Sequence, residues 1–558
     1  MKRVVVFLLI MVVFGLIAAQ CGAAPTPETV TVVETVVVKE TVEVQKEVVK
    51  EVEKQVIQTV EVVKEVEVPA KPAGPQGTLR VALSIFPNSL FIPLTDERNA
   101  DNAASQLYDS LVFMDREGNI NPMLAESWDV SEDGATYTFH LRQGVTFHNG
   151  EPFTADDVIT TWEYGKGEQS KWPDKYDLVT SVEKVDDYTV KISTESANPL
   201  LLPIIHDFWA IIPNEYMAEV GLDGFQEHPI GTGPFMFVEW VKGDHITYEA
   251  NPNYWREGYP KLQSLIFRPI PESSTRAAAI QTDEIDIVGR LTAEEAKDLL
   301  GVEGVKVIKY PVTRIYYIAF NNMTTGVGQP TIDPKVRQAM NYAVDVEAIV
   351  DALFDGFGQP AEGYIASSEL GYGAVEPFGY DPDKAKELLA EAGYPDGFAM
   401  DMACPAGAYS HFEEVCEAVV GYLGEVGIDA SLEIMESGHF WDLEANKELP
   451  PLFGDSWSAD AGEAYRRLTG ALLGEDAAYS SWSDPKILDY LAKIGSTVDR
   501  EERKGVYQEL EQYMHENPPF IYLYEPMAFE AIRTRVQNYE PGPVEDYWLY
   551  QTWVVSEE

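Results

Sequence analysis

Basic residues are scarce in this chain: 41 Lys and Arg stand against 92 Asp and Glu over 558 residues, for a formal charge of −51. Residues 1–77 carry eight basic and ten acidic side chains, so nearly all of the excess, about −49, belongs to residues 78–558. So acidic a surface repels phosphate backbones and anionic headgroups, and no nucleic-acid partner is expected. Long apolar runs are confined to the first twenty residues, which argues against a membrane span in residues 21–558. Histidine is limited to eight dispersed residues, and neither HExxH nor GxSxG occurs, which removes the common metalloprotease and hydrolase signatures. The Gly-rich stretch "GTGPF" (231–235) is followed by no Gly-Lys-Ser/Thr, so it is not a phosphate loop. No fixed-period repeat occurs after residue 77, which sets aside solenoids and propellers.

What is present begins with size. A chain of 558 residues exceeds a single core and predicts two or more domains. At 45% hydrophobic and 11% aromatic, it can fill those cores and still face aromatics toward a ligand. The opening "MKRVVVFLLIMVVFGLIAAQ" pairs Lys2 and Arg3 with an apolar run from Val4 to Ala19, the pattern of an export signal over 1–20. It ends at "AAQCGAAP", where Cys21 stands at the position of a lipid-bearing cysteine, although Ala18 and Gln20 depart from the usual lipobox. A stray cysteine after an ordinary export signal is the alternative. In an oxidising compartment Cys404 and Cys416, twelve apart, form a disulfide candidate; ligation of a metal with His411 is the competing reading.

Residues 21–77 read as a low-complexity linker. In "ETVEVQKEVVKEVEKQVIQTVEVVKEVEVPAKPAG" (40–74) Val alternates with Glu and Lys, and Val42, Val49, Val56 and Val63 keep a heptad position. The alternation suits a strand equally well, yet nothing adjacent supplies a partner. A charged, extended tether is the expectation, with a coiled coil as the alternative. "GTLRVALS" then opens the folded part as a strand. "TYTFHLR" (136–142), "TVKIS" (189–193) and "ITYEAN" (246–251) read as strands. Residues 333–354 read as a helix started by Asp333-Pro334, 381–394 as one capped by Asp381-Pro382 and stopped at Gly393, and 500–519 as an amphipathic helix ended by two prolines.

Several of these stretches, taken together, resemble the family 5 extracellular solute-binding proteins, the dipeptide, oligopeptide and nickel receptors of ABC importers. The likeness is carried by "NPMLAESWDVSEDGATYTFHLRQGVTFHNGEPFTADDVITTWEY" (121–164), "GTGPFMFVEWVKGDHITYEANPNYW" (231–255), "VRQAMNYAVDVEAI" (336–349), "YDPDKAKELLAEAGYPDGF" (380–398) and "NPPFIYLYEP" (517–526), in family order from about residue 78 to the C-terminus. It implies an α/β, type II periplasmic-binding-protein fold in its large three-domain form, with two lobes closing on a ligand cleft about a hinge. Expected boundaries are a first lobe over 78–312 with the family's extra subdomain at about 121–230, a second lobe over 313–524, and a return to the first lobe over 525–558.

The resemblance also nominates site residues. In "GDSWSADAGEAYRRL" (454–468), Trp457, Ser458, Ala459 and Asp460 match a Trp-x-Ala/Gly-Asp pattern whose Asp pairs with a peptide's N-terminal ammonium; an Asp capping its own loop is the plain alternative. The match breaks at Gly462-Glu463-Ala464, before Arg466 and Arg467, which puts the ligand class in doubt. Arg314, Tyr316 and Asn321 on "TRIYYIAFNNM" (313–323) are cleft candidates, Arg314 for a carboxylate, and Phe86 and Asn88 are two more, on "SIFPNSLFIPL" (84–94). The implied function is an exported, lipid-anchored or periplasmic monomer that captures a peptide or similar solute. It would hand that solute to an ABC permease and its ATPase subunits, without cofactor, metal or bond chemistry. A receptor for a nickel-type chelate or an oligosaccharide is the alternative. A secreted hydrolase using Ser456 of "GDSW" is a distant one, since the only later histidine is His515.

Overall fold

The computed structural model describes residues 28–38, 58–68, 74–85, 87–95, 98–459 and 462–555, and the chain divides into two units, 1–72 and 73–558. Cys21 lies outside the described residues. In the first unit Glu28–Val38 pairs antiparallel with Gln58–Val68, in unbroken register from Glu28 against Val68 to Val38 against Gln58. This corrects the expectation that the alternating segment has no partner strand. Its two arms are β-branched and alternate with period two, so each is a partner for the other, and over these residues the heptad helix does not form.

The second unit contains two principal sheets. The first has the order Phe235–Val241, His245–Ala250, Ser264–Pro269, Thr78–Leu83, Ile287–Val288, Tyr524–Arg533 and Val305–Pro311, with Gly358–Pro360 also paired to the long strand Tyr524–Arg533. Thr78–Leu83 lies centrally, parallel to both neighbours, and its Leu79, Val81 and Leu83 are fully buried. The second sheet runs Ile428–Glu436, Phe398–Ala406, Leu452–Ser458, Arg314–Phe320, Phe520–Tyr522. Its core gathers Ile318, Met402, Val419, Tyr507 and Ile521.

The chain passes between these sheets in very few residues. Pro311 pairs with Met527 in the first sheet, whereas Arg314 pairs with Ser458 in the second, leaving Val312 and Thr313 as the crossing. On the return, Tyr522 pairs with Tyr317 and Tyr524 with Pro360, leaving only Leu523. Two short, adjacent connections between two lobes are the construction of a hinge.

A four-stranded antiparallel sheet, in the order Ala125–Val130, Thr136–Leu141, Thr189–Thr194, Val179–Asp186, projects from the first lobe's sequence. Thr136–Leu141 alternates as the sequence predicts, with Tyr137, Phe139 and Leu141 buried on one face. Gly134 sits at φ +70° in the hairpin turn before it, where a side chain is strained. In "GTGPF", Gly233 packs against the Leu107 backbone so closely that a Cβ would stand 2.4 Å from its carbonyl carbon, so the loop is shaped by contact.

Local helix signals hold with one exception. Asp333 accepts from the Lys335 N–H at 2.8 Å, Asp381 accepts from the Lys384 N–H at 2.8 Å, and both precede a proline at the first helical position. The single helix expected over 333–354 is instead two, Pro334–Ala343 and Val346–Phe354. Val344 is extended there, and Asp345 caps the second helix by accepting from the Ala348 N–H at 2.9 Å. Cys404 and Cys416 are joined in a disulfide that ties the strand Phe398–Ala406 to the helix Phe412–Glu425.

Candidate functional site

The strands Arg314–Phe320 and Leu452–Ser458 are antiparallel neighbours, and their pairing brings Arg314 beside Ser456. The Arg314 Nη1 donates to Ser456 Oγ at 2.7 Å, and its guanidinium carbon lies 5.6 Å from the Tyr409 ring centre. Next to Ser456, Asp455 is 3% exposed and accepts hydrogen bonds from the hydroxyls of Tyr409 (3.0 Å) and Tyr317 (3.1 Å). Burial pushes its carboxyl up to about 6, against those hydrogen bonds and the Arg314 charge, which pull it down. Glu444, from the helix Ser437–Ala445, stands nearby at 2% exposure. Burial first, and then the Asp455 carboxylate, raise it well above the ordinary carboxylate range, while Lys447 opposes the shift.

These groups line one cavity of about 690 Å³. Arg314, Glu444, Asp455 and Ser456 provide its polar wall, and Tyr409, Trp441, Trp457 and Tyr479 its aromatic one. Tyr409 meets Trp441 edge-on at 6.4 Å, and Trp457 meets Tyr479 edge-on at 6.1 Å. Such a wall suits a ligand that carries both charge and hydrocarbon.

A second cavity, about 930 Å³, opens in the first lobe between Phe113, His206, Tyr254 and Trp548. At its wall the buried Asp109 accepts from Trp255 Nε1 (2.8 Å), the Tyr254 hydroxyl (3.0 Å) and the Thr232 hydroxyl (3.1 Å), and burial raises its carboxyl to about 6. A small adjoining cavity shares His206, Asp207, Asp546 and Trp548 and is also lined by Ser368 and Gly462 of the second lobe. The two lobes therefore face one another beside Gly462, two residues after Asp460.

Of the residues singled out from sequence, Arg314 and Trp457 come together in the second-lobe cavity. Asp460 and Phe86 lie outside the described residues. Three others do not line that cavity. Tyr316, on the same strand face as Arg314, is packed behind the cavity wall, stacked on Tyr524 at 4.7 Å and edge-on to Tyr409 at 5.4 Å. Asn321 is 1% exposed and staples a loop, donating to the carbonyls of Leu449 (3.1 Å) and Lys447 (3.3 Å). Asn88 is exposed and closes its own loop on the Leu94 carbonyl at 3.1 Å. Ser456 accepts its hydrogen bond from an arginine, which offers no general base, and His515 stacks on Phe378 at 4.1 Å in the helix Arg500–Glu516. Sequence reasoning missed Tyr409, Trp441, Glu444, Asp455 and Tyr479. Only Asp455 carried a usable signal, as a lone carboxylate inside the apolar strand "LFGDSW".

Residues 119–478 match the model of the bacterial extracellular solute-binding proteins, family 5. The chain belongs to this family. Among its relatives, a glutathione-binding protein of Pectobacterium atrosepticum is 32% identical over 444 residues, 76% of this chain and 84% of the relative. A heme-binding protein A of Haemophilus influenzae is 30% identical over 80% of this chain and 87% of its own length. A dipeptide-binding protein of Escherichia coli is 30% identical over 80% of this chain and 88% of its own. The solved structure of HbpA2 from Haemophilus parasuis superposes with a TM-score of 0.80 at 28% identity, over 86% of this chain and all of that one. As a family 5 solute-binding protein the molecule has the α/β periplasmic-binding-protein fold that its motifs implied. Its family consists of substrate-binding proteins.

Proposed function

We propose that this solute-binding protein captures a peptide or peptide-like solute outside the cytoplasm and presents it to an ABC permease, whose ATPases supply the energy of transport. The observation that carries the reading is the convergence of Arg314, Asp455 and Trp457 in one aromatic-walled cavity beside the 457–460 stretch. Relatives that bind glutathione and dipeptides support the class of solute. In this reading Asp460 pairs with the ligand's terminal ammonium and Arg314 exchanges Ser456 for a ligand carboxylate. Lobe closure selects the ligand, and no bond is made or broken. Cys21 bears a lipid, the low-complexity stretch 21–77 spaces the monomer from the membrane, and the protein works at the outer face of that membrane.

Native mass spectrometry of the protein with its co-purified ligand tests the solute class: a peptide mass supports the reading and a metal chelate or sugar overturns it. Asp460→Ala is expected to weaken an amine-bearing ligand by about 1.5–3 kcal/mol, the usual worth of a charged hydrogen bond. Unchanged affinity by calorimetry removes Asp460 from the site.

A further inference from the structure

We propose that the second-lobe cavity is a subsite for a cationic side chain of the ligand, an ammonium or guanidinium held by Glu444 and Asp455 between aromatic walls. The proposal rests on the peptide-capture reading and specifies which peptides are captured.

Glu444 is the decisive residue. It is almost wholly withdrawn from solvent, it lines the cavity, and it accepts no hydrogen bond among the described residues. The neighbouring cation, Lys447, does not satisfy it: that ammonium donates to the carbonyls of Ala477 and Ala478 instead. Asp455, the second carboxyl on this wall, has only the two tyrosine hydroxyls as side-chain donors. Among the described residues, the cationic side chain on the wall is Arg314, which donates to Ser456. Two carboxyls that interact in a desolvated site, one of them unpartnered, are satisfied by a cation that arrives with the ligand. A neutral alkyl chain leaves Glu444 without a partner.

The walls agree with this chemistry. Tyr409, Trp441, Trp457 and Tyr479 offer ring faces to a cation and apolar surface to the methylenes behind it. Part of the cavity is open to solvent, and the volume of about 360 Å³ that water can occupy admits a lysine or arginine side chain.

The test uses calorimetry on the full chain with tripeptides of alanine carrying lysine at the first, second or third position. Each is compared with its norleucine counterpart, and spermidine serves as a cation that is not a peptide. At one position at least, lysine is expected to bind ten-fold or more tightly than norleucine. Glu444→Gln and Asp455→Asn, which keep shape and remove charge, are expected to bring that preference close to unity. Peptides that bind with lysine and norleucine within three-fold at every position overturn the subsite and leave peptide capture standing. A lysine preference that survives both variants also overturns it. Spermidine binding that Glu444→Gln abolishes, with no tripeptide bound, supports the subsite and overturns peptide capture. Binding of none of these probes overturns both.

Discussion

The Arg467 guanidinium and the Glu369 carboxylate meet fork to fork with both side chains fully buried. Arg467 Nη1 lies 3.0 Å from Glu369 Oε1 and 3.2 Å from the carbonyl of Thr313, and Nη2 donates to the Tyr364 carbonyl at 2.7 Å. Thr313 is one of the two residues by which the chain enters the second lobe, and it also accepts from the Ala459 N–H at 2.8 Å. Arg467, just beyond the break in the family's sequence pattern, is therefore a support for the hinge and for the backbone leading to Asp460. Truncating one partner of a buried pair leaves the other charge uncompensated, so Arg467→Ala is expected to cost about 3–5 kcal/mol in urea unfolding. Arg467→Met with Glu369→Leu should recover much of that loss. A single variant within about 1 kcal/mol of the parent would contradict this account.

Arg314 is the cationic side chain on the second-lobe cavity wall, and its hydroxyl partner is easily exchanged. Arg314→Gln is expected to weaken peptides with a free C-terminal carboxylate by ten-fold or more, consistent with about 1.5–3 kcal/mol for a charged hydrogen bond. C-terminally amidated peptides should lose far less. Equal losses for the two series would assign Arg314 to the scaffold.

Glu511 gives stability a pH dependence of definite sign. Burial raises its carboxyl to about 8, although the Tyr364 N–H and the Arg467 charge pull it down. A carboxyl raised in the folded state is protonated there while the unfolded chain has already lost the proton. The folded state is thus favoured at low pH and loses that advantage as pH rises through the folded value. Between pH 6.5 and 8 the loss approaches about 2 kcal/mol at about 1.4 kcal/mol per unit. The buried His148, held down at about 4, acts with the opposite sign only below that window. Chemical unfolding at the two pH values should show a drop that is smaller in Glu511→Gln than in the parent by about that amount, the rest coming from the buried Glu530, raised to about 7, and Glu444; equal drops would exclude Glu511 as a source.

The disulfide Cys404–Cys416 closes a short loop between a central strand and the helix on it. By loop-closure entropy a loop of this length is worth about 3 kcal/mol. Replacing both cysteines with serine, or unfolding in reductant, should lower stability by roughly that amount. No change in the urea midpoint would show that the reduced chain is already constrained.

Features that depend on neighbours in the chain were legible. The Asp-Pro starts at 333–334 and 381–382, the alternation of 136–141 and the disulfide partners twelve residues apart each arise from contacts within one turn, one hairpin or one strand-to-helix connection. Arg314, singled out on a crossover strand, and Trp457, singled out in a Trp-x-Ala/Gly-Asp stretch, line one cavity. Asn321 could not be placed from sequence, because a polar residue at a strand end serves a loop carbonyl as readily as a ligand.

The sequence by itself determined the family, the α/β class, the acidic character and the identity of most local elements, since those arise from composition, periodicity and capping. Tertiary structure alone decided which side chains share a cavity. Arg314 meets Ser456 across 142 residues, and Glu444 faces Asp455 only because a helix packs beside that strand. The same holds for the linker, where the strand Glu28–Val38 found its partner across the nineteen residues 39–57. Pairing over such distances is set by packing and loop closure rather than by any property that a single segment carries.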